Sequence, residues 1–311
     1  MNYICKRILL FFPVFLSVTF LTYGLMYVAG GDPMSYFYEN QGQAVSQSVI
    51  EAGRQKYGLD QPFLVQYGKW LWGMLHGQMG ESFITGKDVG PLFLSKLPQT
   101  MYLAGISLAM TLCMSLPLGI VSALYKNRMI DYGIRLLSFI GNSMPNFLVA
   151  ILLVFLLAVK YHFFPVVAIG RSPSVVLPAL TLTVAMSAKY IRQIRAVVLE
   201  ELGKGYVTGM RSRGFSNLQI VCTSVIPMAC PAIITLLAIS VGSLLGGTAV
   251  VETIFQWDGV GKLAVDAILQ RDYPIIQIYV VWMAFIYIVV NLCGDVIQYL
   301  IDPRIRRKEI V

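Results

Sequence analysis

The sequence predicts an all-α integral membrane protein with six transmembrane helices. Of its 311 residues, 57% are hydrophobic and only 13% are charged, against roughly 25% charged residues in soluble domains. Six apolar runs are long enough to cross about 30 Å of hydrocarbon as helices rising 1.5 Å per residue. These runs lie near residues 8–29, 98–124, 132–160, 174–197, 228–251 and 277–300.

The first run, 8–29, predicts a helix that stays in the mature protein. Lys6 and Arg7 precede it, as in a signal sequence, but the apolar region of a cleavable signal peptide spans only about 7–15 residues. The longer run here favours an uncleaved signal anchor that serves as the first span.

Basic residues predict the orientation of the spans, because short cytoplasmic loops carry an excess of Lys and Arg. With the N-terminus inside, 15 basic residues fall on the cytoplasmic side and 4 in short outer loops, leaving out the long segment 30–97. The outer four are Lys160, Arg171, Lys262 and Arg271. The inner fifteen are Lys6, Arg7, Lys126, Arg128, Arg135, Lys189, Arg192, Arg195, Lys204, Arg211, Arg213, Arg304, Arg306, Arg307 and Lys308. Both termini are therefore predicted to be cytoplasmic, and the net charge of +8 is assigned to the membrane surface rather than to nucleic acid.

The segment 30–97 is predicted to be a small extracytoplasmic helical segment between the first span (1–29) and a five-helix core (98–311). It holds the turn signals GGDP and YGLDQP and the amphipathic stretch FLVQYGKWLWGML, from Phe63 to Leu75. Two arrangements remain open for that stretch: a helix on the outer membrane surface, with Trp70 and Trp72 among the headgroups, or a small helical cap packed on the spans.

A polar loop at 198–227 separates two apolar runs and predicts a helix–glycine–helix elbow. YVTGMRSRG forms two turns that end at Gly214, since a left-handed residue is cheap only for glycine. Ser216 precedes Gln219 by three residues, the spacing of a capping box, and Pro227 is expected at the entry to the next span. From periodicity alone the loop is either an amphipathic connector resting on headgroups or a docking element for a soluble partner.

Gly214 followed by Ile226 and Pro227 resembles the EAA loop of ABC importer permeases. The resemblance implies a coupling helix that fits a groove on an ATPase subunit, and the expected coupling residues are Arg211, Arg213, Gly214, Phe215, Ser216, Leu218 and Pro227. The acidic-Ala-Ala positions of that loop read Thr208, Gly209 and Met210 here, which departs from the pattern.

Other motifs extend the resemblance over the whole chain and place it in the dipeptide/oligopeptide/nickel branch. They are GGDP, GLDQP, GGTAVVETIFQWDGVGKL, QRDYPIIQ and DPRIRR, with Asp258 where the family more often has proline. The resemblance implies a subunit of the bacterial inner membrane, surrounded by lipid. Its implied partners are a second homologous permease in a heterodimer, two cytoplasmic ATPase subunits that bind ATP and Mg, and an extracytoplasmic solute-binding protein.

GLDQPFLVQYGKWLW, GNSMPNF and RDYPIIQ are most similar to the nickel-type permeases. The expected cargo is therefore nickel or a metal chelate, with dipeptides or oligopeptides as the alternative. His76 and His162 lie in different outer segments without metal-ligand spacing, so no metal site or other cofactor is expected within the chain itself.

Polar groups inside membrane spans are candidates for a transport path or gate. In the third apolar run, Asn142, Ser143 and Asn146 surround Pro145. After the fifth run come Glu252, Trp257 and Asp258, and on the sixth run Asn291 and Asp295 lie one helical turn apart. A packing kink, a structural lid on the outer side and an interfacial carboxylate are the respective alternatives.

The sequence does not support two other classes of protein, an ion-gradient carrier and a membrane-embedded enzyme. A carrier driven by an ion gradient usually shows internal repeats and charges at mid-membrane, and neither is evident in the sequence. A membrane-embedded enzyme would carry a motif such as HExxH, GxSxG or the P-loop GxxxxGK[ST], and the sequence contains none of these. ATP hydrolysis is accordingly assigned to other polypeptides.

Overall fold

The computed structural model describes residues 3–28, 34–35, 46–165 and 174–301. The motifs GGDP (30–33) and DPRIRR (302–307), together with Arg171 and the basic C-terminal residues, lie outside the described residues.

Every regular element in the described part of the chain is helical. In chain order the helices are α1 (Tyr3–Val28), α2 (Gln47–Tyr57), α3 (Phe63–Leu75), α4 (Val89–Leu124), α5 (Met129–Ser143), α6 (Asn146–Leu153), α7 (Val176–Leu202), α8 (Gly205–Ser212), α9 (Asn217–Ile220), α10 (Ile226–Phe255), α11 (Val260–Gln270) and α12 (Tyr273–Ile301). Two π-helical segments, Val154–Lys160 and Val221–Val225, extend α6 and join α9 to α10.

Among the described residues, four helical stretches are long and apolar enough to cross a membrane. They are Phe11–Val28, Val89–Leu124, Asn217–Phe255 and Tyr273–Leu300. α5 and α6 with its π-helical extension supply a fifth span if the pair is taken together. The remaining predicted span, 174–197, is the fourth in chain order and coincides with α7, whose second half carries Lys189, Arg192 and Arg195. Its crossing of the membrane stays a prediction.

The predicted single span at 132–160 is wrong in one respect, because the chain bends by 104° between α5 and the helix that follows. The break is at Met144, which is extended (φ −87°, ψ 128°), and Pro145, which starts α6. A residue before proline is pushed out of the helical region, and proline has no N–H to continue the hydrogen-bond ladder.

The described residues divide into two compact units, the first comprising Met1–Thr100 and Asp258–Ile288. In this unit α3 packs against α1 through aromatic rings, with centroid distances of 5.3 Å for Phe20–Tyr67 and 5.5 Å for Tyr23–Trp70. The amphipathic stretch is thus a helix with the predicted bounds, and it packs on α1 as in the cap arrangement.

Gln66 is buried in the packing of α3, although its side chain is polar. Its Nε2 donates to the carbonyls of Leu59 (3.1 Å) and Gln61 (2.6 Å), and its Oε1 accepts from the Tyr23 hydroxyl (3.3 Å). A buried amide is tolerated only when it is hydrogen-bonded, and these three bonds tie the preceding turn to α3 and α1.

Asp272 holds the start of α12 in the first unit. Its carboxylate accepts from the Ser82 hydroxyl (2.5 Å) and the Phe83 amide (3.1 Å) at the N-cap position of the helix, where an acceptor for the first amides is preferred. Burial raises the pKa of the Asp272 carboxyl, and the hydrogen bonds from Ser82 and Phe83 offset that rise only in part. The RDYP motif is thus explained as a helix start.

The second unit comprises Met101–Trp257 and Val289–Val311 and contains two buried apolar clusters. One joins α4, α6, α7 and α10 around Leu103, Leu182 and Phe255. The other joins α4, α7, α8, α9 and α10 around Ile194, Val207 and Ile220. This second cluster lies directly beneath the polar loop 198–227.

Candidate functional site

The elbow, defined here as residues 205–220, begins with α8 and ends that helix in a Schellman turn. Gly214 is left-handed, with φ +86°. The Gly214 amide donates to the Arg211 carbonyl (2.9 Å) and the Phe215 amide to the Met210 carbonyl (3.2 Å). This pair of bonds satisfies carbonyls that every helix end leaves unpaired.

The second half of the elbow starts with the capping box that the sequence predicts. The Gln219 amide donates to the Ser216 hydroxyl (3.3 Å), and the Ser216 amide donates to the Gln219 side chain (3.0 Å). The end of α8 and the start of α9 are therefore both capped by hydrogen bonds within the elbow, and these bonds define where each short helix ends or begins.

The two faces of the elbow differ in character. Val207 and Ile220 are fully buried in the apolar cluster below, and Tyr206 and Met210 pack against that cluster. Arg211, Arg213, Gly214 and Ser216 are exposed on the other face. Phe215 and Leu218 are also exposed there, at 45% and 68% of their surface. The elbow therefore presents basic and apolar side chains together on a supported surface.

Pro227 lies in the first turn of α10, as predicted for the entry to the fifth span, and no loop separates the elbow from that span. α9, the π-helical segment Val221–Val225 and α10 form one continuous helical stretch, Asn217–Phe255, and Pro227 is exposed in the first turn of α10. A proline without an N–H leaves an earlier carbonyl unmatched, and the π-helical segment lies immediately before it. The elbow thus passes into the span without a loop.

Glu201, which the sequence analysis did not single out, anchors the start of the elbow. It is buried at the end of α7 and accepts from the Lys204 ammonium (2.5 Å) and the Tyr206 hydroxyl (3.1 Å). Burial, followed by this bond to Glu201, raises the pKa of Tyr206 to about 12. The polar run EELGKGY was the available signal.

Asp131 and Arg195 form an ion pair that sequence reasoning also missed. Arg195 Nε and Nη2 each donate to Asp131 at 2.8 Å, and the carboxylate also accepts from Ser122 Oγ (2.6 Å) and the Asn127 amide (2.9 Å). The Asp131 side chain is fully buried. These bonds connect the end of α4, the start of α5 and the middle of α7. The feature of the sequence that could have revealed this pair is that Asp131 is the only acidic residue between Asp88 and Glu200.

The polar residues of the third run flank the helix break. Asn142 and Ser143 are exposed, and the Ser143 hydroxyl donates to the Phe139 carbonyl (2.9 Å). Asn146 lies beside α10, since a β-carbon placed on Gly247 would meet its Nδ2 at 3.1 Å. The exposed Pro145 starts α6, as described above, so this set stays together at one bend.

The predicted outer turn is not a cluster. Glu252 does not follow the fifth span as predicted; it lies in the last turns of α10 and is completely buried, because α10 continues to Phe255. Trp257 is buried as well and stacks on Tyr102 at 6.4 Å. Asp258 has a 73% exposed side chain and pairs with Lys96 in the first unit.

Asn291 and Asp295 lie half-buried one turn apart on α12. Between them, Gly294 marks a close approach of α12 to α10, because a β-carbon at Gly294 would come within 2.6 Å of the Ala238 β-carbon. Among the described residues no group of three or more His, Cys, Asp or Glu side chains is arranged to hold a metal ion.

Two family models match the chain. The model described as binding-protein-dependent transport system inner membrane component matches residues 115–307, and the model of the N-terminal region of such components matches residues 1–104.

Curated relatives match over nearly the whole chain. The chain is 36% identical to the oligopeptide transport system permease protein AppB of Bacillus subtilis, covering 97% of this chain and 98% of the relative. It is 33% identical to the metal-staphylopine import system permease protein CntB of Staphylococcus aureus, covering 98% of each. It is 32% identical to the nickel import system permease protein NikB of Staphylococcus aureus, covering 96% of this chain and 90% of the relative.

A solved structure of the MetNI methionine ABC transporter in an inward-facing conformation shares the fold. Its TM-score is 0.58 at 17% sequence identity, covering 68% of this chain and 96% of that chain. Together with the family models and the relatives, this fold establishes that the chain belongs to the ABC transporter permeases of the peptide/nickel family, the inner-membrane components of binding-protein-dependent transport systems.

Proposed function

We propose that the chain is one of two homologous permease subunits of an ATP-driven importer and forms half of the path for nickel or a metal chelate. Its partners are a second permease, two cytoplasmic ATPase subunits and an extracytoplasmic solute-binding protein. The chain crosses the membrane six times with both termini in the cytoplasm. The observation that carries the proposal is the elbow, an exposed basic and apolar surface fixed at both helix ends.

The elbow has the properties that a mechanical coupling element needs. Phe215 and Leu218 offer apolar surface to a groove, and Arg211 and Arg213 offer charges for acidic groups at its rim. Since α9 continues through Val221–Val225 into α10, a displacement of the docked surface reaches the span without crossing a flexible loop. The anchoring of Tyr206 on Glu201 ties the same surface to α7.

The energy source lies outside the chain. The sequence has no P-loop, whose backbone amides and lysine cradle nucleotide phosphates, so ATP and Mg are bound by the partner subunits. The chain itself carries no catalytic residue or cofactor and acts by changing shape.

The path is assigned to the bend between α5 and α6 and to α12. Helix breaks are tolerated at membrane depth where they face protein or a water-filled cavity, and Asn142, Ser143 and Asn146 surround the break at Pro145. Asn291 and Asp295 supply further polar groups on α12, and of the predicted outer gate only Asp258 offers an exposed polar side chain.

Nickel or a metal chelate is proposed as the cargo because the nickel-type motifs agree with two of the relatives, which are named for nickel and for metal-staphylopine import. The alternative cargo is a dipeptide or oligopeptide, since another relative is an oligopeptide permease. Cargo selection is assigned to the binding protein. Competition between labelled nickel, its chelates and short peptides for uptake discriminates between these cargoes.

Co-purification with the ATPase subunits tests the docking assignment. Serines at Phe215 and Leu218 should abolish both co-purification and ATP-driven uptake. The matched control places serines at Ile268 and Leu269, which are similarly exposed on α11 (56% and 77%), and it should retain the ATPase. Loss of ATPase in both variants, or in neither, contradicts the docking role, and uptake by the chain alone without ATP would instead identify an ion-gradient carrier.

A further inference from the structure

An open groove of about 560 Å³ lies between α5 and α7 in the second unit. It belongs neither to the elbow nor to the set of path residues. Six residues line it: Tyr132, Arg135, Leu136, Phe139, Arg192 and Arg195. Half of its lining residues are arginines, and the other half are apolar or aromatic.

The positive charge of the groove is only partly compensated. Arg195 is matched by the buried Asp131, which it binds through two hydrogen bonds. Arg135 lies with its guanidinium 5.6 Å from the centre of the Tyr132 ring, and Arg192 is exposed on the facing helix. None of the described residues that line the groove is acidic, so Arg135 and Arg192 both line it without a carboxylate among its described lining.

The position of the groove suits the membrane interface. Arg135 follows the start of α5 at Met129 by six residues, which at 1.5 Å per residue is about 9 Å along the helix. This is within reach of a headgroup for an arginine that extends its stem toward water. Leu136 and Phe139, which are 60% and 63% exposed, continue the groove with apolar surface.

We propose that this groove binds the headgroup of an anionic membrane phospholipid. The phosphate lies between Arg135 and Arg192, and the first part of an acyl chain runs along Leu136 and Phe139. Guanidinium groups bind phosphate oxygens through paired, charge-assisted hydrogen bonds, and basic pockets between transmembrane helices on the cytoplasmic side bind anionic headgroups. The inference rests on the proposed function only in placing the start of α5 and the C-terminal end of α7 at the cytoplasmic surface.

The bound lipid would reinforce the contact that the Asp131–Arg195 pair makes between the same two helices. Since α7 continues to Glu201, which anchors the elbow, the bound lipid would also stabilise the end of α7 on which the elbow packs. Transport would then depend on the anionic lipid content of the membrane.

The test uses the purified permease–ATPase complex in nanodiscs of neutral phospholipid with a small fraction of phosphatidylglycerol. The retained phosphatidylglycerol is counted by native mass spectrometry. R135Q/R192Q removes both groove charges, and K126Q/R128Q removes two charges from the neighbouring α4–α5 loop, outside the groove. At about 1 kcal/mol per basic residue, R135Q/R192Q should weaken retention about 30-fold, while the control should stay close to wild type.

Equal loss in both variants overturns the proposal, because it shows a diffuse effect of surface charge. Unchanged retention in R135Q/R192Q overturns it too. If that variant also releases the second permease, the groove is a protein interface. Co-purification of the ATPase is measured in the same samples, so failure of the docking assignment is recognised separately from failure of lipid binding.

Discussion

Replacing Gly214 with alanine should weaken ATPase binding, although alanine adds only one carbon atom. Gly214 has φ +86°, and a β-carbon built there meets nothing within 4 Å. The added methyl group therefore clashes with no neighbour. The whole cost arises from holding an L-residue in a left-handed backbone conformation.

That cost is about 1–2 kcal/mol. It lowers the ratio of the elbow in its present shape to all other shapes by 5–30-fold. If the ATPase binds only that shape, its apparent dissociation constant should rise by up to that factor. Asparagine tolerates the left-handed region better than alanine does, so Gly214→Asn should lie between wild type and Gly214→Ala.

Gly209 provides the matched control, because it lies in α8 of the same elbow and a β-carbon there also meets nothing within 4 Å. Its backbone is helical, where alanine is favoured over glycine by about 1 kcal/mol. Gly209→Ala should therefore bind the ATPase as well as wild type does, or slightly better. The assay is titration of labelled ATPase onto the permease pair in nanodiscs, with ATP-driven uptake measured in parallel.

Equal dissociation constants for Gly214→Ala and Gly209→Ala would refute the reasoning, because the two variants differ only in the backbone conformation that the added carbon must adopt. A large loss in both would point to a surface that tolerates no extra atom, and it would equally refute the backbone argument.

Three further substitutions test the supports of the two units by thermal unfolding in detergent. Asp131→Ala should cost about 1–3 kcal/mol because it leaves the partly buried Arg195 guanidinium and the buried Ser122 hydroxyl without their acceptor, and adding Arg195→Ala should restore part of that loss; an additive loss would contradict the pairing. Gly119→Ala should cost about 1–3 kcal/mol by overpacking, since its β-carbon would lie 2.8 Å from a side chain of α7. Gly105→Ala is the control on the same helix and should be neutral, because a β-carbon there has open space. Equal losses of stability in the two variants would contradict the close approach at Gly119. Asp272→Asn tests the raised pKa of the Asp272 carboxyl. As pH rises from about 4, the carboxyl must ionise in the folded state, which disfavours its charged form, so the Tm of wild type should fall relative to that of Asp272→Asn. A wild-type advantage that grows with pH would contradict the raised pKa.

Local sequence signals predicted the elements whose causes are local. The helix Phe63–Leu75 has the predicted bounds because its apolar spacing, the proline before it and the glycine after it act within one stretch of chain. The capping box at Ser216 and the helix end at Gly214 were predictable for the same reason: a turn of this kind is determined by a few neighbouring residues.

Features that depend on distant residues were not predictable in this way. Gln66 is polar, and nothing near it in the sequence indicates that Tyr23 and two backbone carbonyls satisfy its hydrogen bonds in the interior. Arg195 was counted only as a cytoplasmic charge, although its partner Asp131 lies 64 residues earlier. Glu252 was expected in a loop because periodicity cannot say where an apolar helix ends, and α10 continues past it.

The continuity of the elbow with the fifth span bears on how motion crosses the membrane surface. Between the capped start of α9 and the body of α10, the α-helical hydrogen-bond pattern is interrupted by the π-helical segment Val221–Val225 and by Pro227 and Pro231, which lack an N–H. Bends in helices occur at such segments and at prolines. Val221 and Val225 are both buried, and Val225 belongs to the cluster that also holds α7 and α8, so this segment is supported on one side. If the elbow docks an ATPase, as proposed above, its movement would reach α10 through this segment, and the flexibility of the segment would decide how much of the movement reaches the span.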